Sequence, residues 1–111
     1  MLVFKFGGAS VKNAEAVRNI VSILEQYRDQ EIVVVLSAMG KTTNALERII
    51  ENYVSGNTGA VEKECDELKN YHLDIAGGLF TADQHPVHQA LKNLFQELDE
   101  RLAKPPTLNY D

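Results

Sequence analysis

Cysteine, tryptophan and proline are scarce: the chain has one Cys, no Trp and three Pro in 111 residues. The lone Cys65 excludes an internal disulfide, so packing must hold the fold, and it suits a reducing compartment. Cations are in the minority too, with 11 Lys and Arg against 16 Asp and Glu and a net charge of -5. That balance argues against nucleic acid or an anionic membrane as the main partner. Any phosphate must then be held by local geometry rather than by a broad positive field. Long apolar runs are missing as well, and nothing approaches the ~20 residues of a membrane span. The apolar opening is short and reads as a strand, so no signal peptide is visible and the expected location is cytoplasmic.

What is present is an ordinary globular composition, 44% hydrophobic and 24% charged, sized for one small domain or a piece of a larger one. The stretch that organises the chain is Val3-Phe4-Lys5-Phe6-Gly7-Gly8-Ala9-Ser10-Val11. A strand that ends in glycines and opens a helix makes an anion site. The backbone can approach closely there, and the first helical N–H groups lack partners within the helix. Lys5 stands two residues before the glycines, close enough to set an ammonium beside a phosphate. The same residues also suit a plain tight turn with one solvated lysine.

A first helix is expected from Asn13, an N-cap residue, with Val17, Ile20, Val21, Leu24 and Tyr27 on one face and Arg28-Asp29-Gln30 closing it. The β-branched run Ile32-Val33-Val34-Val35-Leu36 does not alternate, which predicts a parallel strand buried on both faces. Strand, helix and strand with short links form a βαβ unit over residues 1–37, with a right-handed crossover. A helical segment over 41–104 should follow. Its first helix carries Leu46, Ile49, Ile50, Tyr53 and Val54 on one side and ends near Gly56. The next has a seam of Val61, Cys65, Leu68, His72, Ile75 and Leu79, with Gly77-Gly78 expected to weaken or bend it. The last starts at Asp83 or His85 before Pro86 and turns Val87, Leu91, Leu94, Phe95, Leu98 and Leu102 inward. Residues 105–111 form a polar tail. Two strands are few for a parallel sheet, so the pattern implies the N-terminal part of a larger α/β domain. Open strand edges should drive self-association, giving a homo-oligomer.

Between the second strand and its helix lies Ser37-Ala38-Met39-Gly40-Lys41-Thr42-Thr43-Asn44. Gly40-Lys41-Thr42 imitates the end of a nucleotide-binding P-loop, but the glycine that motif needs five residues earlier is Val35, inside the strand. A strand-to-helix turn capped by Thr42 or Thr43 is the simpler reading, and Lys41 is either a phosphate contact or exposed. His72, His85 and His88 lack metal-ligand spacing and read as structural or surface residues, with no metal site expected. Cys65 reads as a small buried hydrophobe, and Glu62, Glu64, Asp66 and Glu67 as a solvated helix face.

Taken together, Lys-Phe-Gly-Gly-Ala-Ser-Val at residues 5–11 and Val-Val-Leu-Ser-Ala-Met-Gly-Lys-Thr-Thr-Asn at 34–44 closely resemble the N-terminus of aspartokinases, members of the amino-acid kinase family. The resemblance implies the N-terminal part of a three-layer αβα fold. It also implies transfer of the ATP γ-phosphoryl group to L-aspartate, the first step toward lysine, threonine and methionine. By position, Lys5 would be catalytic and pair with the phosphates, with Phe6, Gly7, Gly8 and Ser10 beside them. Ser37 and Ala38 would line the crevice, Thr43 would bind aspartate, and Mg²⁺ would bridge the phosphates. Ala9 departs from the family's usual threonine and removes a hydroxyl. A family Gly-Glu motif and other substrate and nucleotide residues fall beyond position 111, so no kinase activity is expected from this chain alone. The alternatives are a family member acting on glutamate or carbamate, and a non-catalytic truncated module.

Overall fold

The computed structural model describes residues 1–107 of the chain, so the last four residues of the expected tail lie outside the described residues. Two compact units divide it, Met1–Thr43 and a second beginning at Asn44.

The first unit is a βαβ arrangement. Strand β1 (Leu2–Phe6) and strand β2 (Ile32–Leu36) pair in parallel, with Leu2 opposite Ile32, Lys5 opposite Val35 and Phe6 opposite Leu36. Both strands therefore end at the same edge, where α/β sheets bind ligands. The chain leaves β1 through a single 3₁₀ turn, Gly8–Val11, and then enters helix α1 (Ala14–Glu25). As expected, Asn13 caps α1, its Oδ1 accepting from the Ala16 N–H at 2.8 Å. The helix ends two residues before Tyr27, because tighter three-residue hydrogen bonds take over from Gln26 to Arg28. Tyr27 still packs inward, its ring 5.0 Å from that of Phe4.

Burial corrects one expectation. β2 is not covered on both faces: Val33, Val34, Val35 and Leu36 are exposed, Leu36 at 59%. The β-branched run specifies a parallel strand, but among the described residues the sheet has two strands and leaves those faces open. On α1, Ile20 is buried whereas Val21 is exposed for the same reason.

The second unit is helical. Helix α2 (Thr42–Val54) begins at the end of the first unit, and α3 (Thr58–Leu79) and α4 (Pro86–Leu102) follow. Its core gathers Ala45, Ile49, Val61, Cys65 and Leu68, with Tyr53, Phe95, Leu98 and Leu102 packed against it. The expected α3 seam is there, Val61, Cys65, Leu68 and Ile75 being buried. Gly77-Gly78 lie inside α3, which continues to Leu79 although each glycine costs ~1 kcal/mol. Two apolar faces are narrower than the periodicity suggests: Leu46, Ile50 and Val54 on α2 and Leu94 on α4 are exposed. The buried stripe of α2 instead follows Ala45, Ile49 and the half-buried Tyr53. His85 caps α4 by accepting from the Val87 N–H at Nδ1, with Pro86 in the first turn.

Candidate functional site: two glycine-bearing turns

The strand register explains why two turns far apart in sequence meet. β1 and β2 end level with one another, and hydrogen bonding continues past them into the loops. The Ser37 N–H donates to the Phe6 carbonyl and the Gly40 N–H to the Gly8 carbonyl, each at 3.0 Å. Contact at Gly8 is closer still. A Cβ there would lie 2.5 Å from the Gly40 carbonyl oxygen and 3.1 Å from that of Ala38. Only glycine fits.

Gly7 plays another part. It precedes the 3₁₀ turn in extended conformation and accepts from the Ser10 N–H at 3.0 Å. A Cβ on Gly7 would meet nothing within 4 Å, so this side of the turn faces open space. The N–H groups of Gly8 and Ala9, at the head of the turn, have no partner inside it. Val11, buried at the end of the turn, anchors it.

Lys5 is exposed one residue before the end of β1. The rings of Phe4 and Phe6 lie on one side of the strand, stacked 6.2 Å apart, and alternation puts Lys5 on the other. Phe6 therefore serves the turns through its backbone carbonyl while its ring packs. Ser10, Ser37, Ala38 and Thr43 are exposed.

The turn after β2 is held from within. Thr42 is buried; its hydroxyl donates to the Met39 carbonyl at 2.5 Å and its N–H donates to the same oxygen at 3.1 Å. The cap expected of Thr42 is not formed: Thr42 is the first residue of α2, and its hydroxyl donates to the Met39 carbonyl instead of accepting from a helix N–H. Gly40 adopts φ 55°, a region open to glycine at no steric cost. In sequence Gly40 only imitates the end of a P-loop, and this contact is not foreseen from it. A glycine among small residues after a strand was the available clue.

Other candidates find structural employment. Nδ1 of His72 bonds the Leu68 carbonyl at 2.9 Å, and its ring packs near Tyr71 and Phe95. His85 stacks on Phe80 at 4.1 Å, and Nε2 of His88 meets the Phe80 carbonyl at 3.1 Å. Burial pushes the Cys65 thiol upward, and the charges of Asp99, Asp66 and Glu64 add to it. Such a thiol is a poor nucleophile. Glu64 leaves the solvated acidic face to bind Arg48 in a two-pronged ion pair, which raises the guanidinium's affinity for its proton. The helical unit also carries a groove of about 630 Å³ beside Tyr53, Cys65, Asp66, Asp99 and Leu102, to which no sequence motif maps.

A parallel βαβ unit with glycine-bearing turns at its carboxyl edge is shared by many ligand-binding α/β proteins, and sequence comparison narrows the class. The chain belongs to the amino acid kinase family, whose model matches residues 1–91. Among individual relatives it is similar to aspartokinase 2, chloroplastic, of Arabidopsis thaliana, at 37% identity over 100 residues, covering 83% of this chain and 18% of the relative. It is similar too to the bifunctional aspartokinase/homoserine dehydrogenase of Buchnera aphidicola, at 47% over 58 residues, 51% of this chain and 7% of the relative. Bifunctional aspartokinase/homoserine dehydrogenase 2 of Escherichia coli is 28% identical over 99 residues, 89% of this chain and 12% of the relative. The chain thus spans less than a fifth of the length of these relatives.

Proposed function

We propose that this chain supplies the phosphate-binding turn and part of the acceptor site of an aspartate kinase, which converts ATP and L-aspartate to ADP and 4-phospho-L-aspartate. The observation that carries the reading is the backbone contact between Gly8 and Gly40, which joins the two turns at one sheet edge. Similarity to proteins named aspartokinase supports aspartate as acceptor over glutamate or carbamate.

Phosphoryl transfer relies on positioning and charge stabilisation rather than on covalent work by the protein. In this reading the Lys5 ammonium offsets charge on the phosphates, and the Gly7-Gly8 turn presents amides to the transferring group. Ser10, Ser37 and Ala38 border it, while Thr43 orients the substrate. A side-chain oxygen of aspartate bonds to the γ-phosphorus as the bond to the β,γ-bridging oxygen breaks, and ADP carries away the electron pair. Among the described residues no group of three or more His, Cys, Asp or Glu could hold a metal. Mg²⁺ bound with ATP would offset negative charge on the phosphates. No helix among the described residues is long and apolar enough to cross a membrane.

The test is to express the complete reading frame and follow ADP release with ATP, Mg²⁺ and each acceptor. Release that depends on L-aspartate, and falls ~100-fold or more on Lys5→Ala, is expected. Turnover with glutamate or carbamate instead would overturn the reading. The 111-residue chain alone should release no ADP steadily.

A further inference from the structure

We propose that Gly40 is a positioning residue that locks the turn after β2 onto the turn after β1 and so fixes the distance from the transferring phosphoryl group to its acceptor. The proposal rests on the aspartate kinase reading and deepens it by assigning a role to a residue outside the phosphate turn.

Gly40 uses both of its backbone polar groups against Gly8. Its N–H donates to the Gly8 carbonyl at 3.0 Å, and its carbonyl oxygen occupies the space a Gly8 side chain would need. Neither turn can slide along the other without breaking the first contact, and neither can close further because of the second. The bond from Ser37 to Phe6 fixes one end of the loop, and the paired Thr42 bonds to Met39 fix the other. Gly40 sits between these anchors at φ 55°. Thr43, assigned to the acceptor, follows three residues later, while Gly8 belongs to the phosphate turn. One glycine pair therefore sets the offset between donor and acceptor binding groups. A misplacement of ~1 Å costs phosphoryl transfer and similar reactions on the order of 100-fold.

Gly40 acts through its neighbours and does not itself touch the reacting atoms, so the test must separate positioning from folding. Gly40→Ala strains the positive φ, whereas Gly40→Asn tolerates it and keeps the amide and carbonyl. Both are made in the polypeptide of the complete reading frame, beside Gly8→Ala. Expected are a kcat lowered roughly 10- to 100-fold by Gly40→Ala and Gly8→Ala, a KM for ATP within about 2-fold, and recovery to within about 3-fold of wild type by Gly40→Asn. Amide hydrogen exchange at Gly40 should quicken in Gly40→Ala and Gly8→Ala and stay slow in Gly40→Asn. Because Gly8→Ala could fail to fold, the Gly40 pair carries the test, with circular dichroism confirming equal helix content. A wild-type kcat in folded Gly40→Ala, or equal losses in the alanine and asparagine variants, would overturn the proposal while leaving the kinase reading intact. A wild-type protein without aspartate phosphorylation would remove the kinase reading, and this assignment with it.

Discussion

The βαβ unit is the more apolar of the two in sequence, yet it buries fewer of its apolar residues than the helical unit does. In the helical unit Ile49 is 1% exposed and packs among Ala45, Val61, Cys65 and Leu68. In the βαβ unit the strand valines stand in the open, Val35 at 46%. Helices can satisfy their own backbones and then cover one another's stripes, so three of them make a core. A parallel strand needs neighbours on both edges and cover on both faces, and here β2 has one neighbour among the described residues. The candidate site residues lie on the less buried unit, where backbone contacts rather than packed side chains set the geometry.

Large-to-small substitutions break that comparison most sharply. Ile49→Ala should cost about 2–5 kcal/mol, because a fully buried side chain leaves a cavity. Val35→Ala, at an exposed position, should change stability by under ~0.5 kcal/mol. Urea denaturation followed by circular dichroism measures both, and equal effects would show that the strand is covered after all.

Caps give a smaller effect shared by the two units. Asn13→Ala and Asn57→Ala each remove a side-chain acceptor at a helix start, for the Ala16 and Ala60 N–H groups respectively. Each should cost about 1 kcal/mol, read in the same denaturation assay.

Alkaline titration sharpens the difference in burial. The Cys65 thiol is raised above its ordinary value of 9.0, chiefly by burial. A raised value means the neutral thiol is the form the fold prefers. Its contribution is therefore fully present below pH 9 and is lost as pH rises through the higher folded value. Thiolate absorbance should appear at higher pH in the folded chain than in denaturant, and alkylation by iodoacetamide should be slow until the helices unfold.

Two surface changes should matter least for stability. Val33→Lys places a charge on an exposed strand and should leave the melting temperature nearly unchanged in a thermal scan. Arg48→Met removes an exposed ion pair between α2 and α3 and should leave the melting temperature almost where it was.

Much of the architecture was legible because it depends on local chemistry. The Asn13 cap, the β-branched run of β2, the α3 seam and Pro86 in the first turn of α4 each follow from residues within a turn or two of one another. The exposure of Val21, Leu46, Ile50 and Leu94 was not legible, since periodicity names an apolar face without saying which part of it finds a partner. At the candidate site, Gly7, Gly8 and the hydroxyl-bearing loop stood out as motifs, whereas the importance of Gly40 emerged only from its backbone angle and its contact.

The sequence by itself determined which segments become strand or α-helix, the Asn13 cap of α1, and that two glycine turns leave parallel strands. Tertiary structure alone decided that those turns touch through Gly8 and Gly40, that Thr42 donates rather than accepts, and that the strand valines face outward. The division has a physical cause. Propensity, capping and periodicity act over a few neighbouring residues, whereas contact and burial depend on register between segments some thirty residues apart.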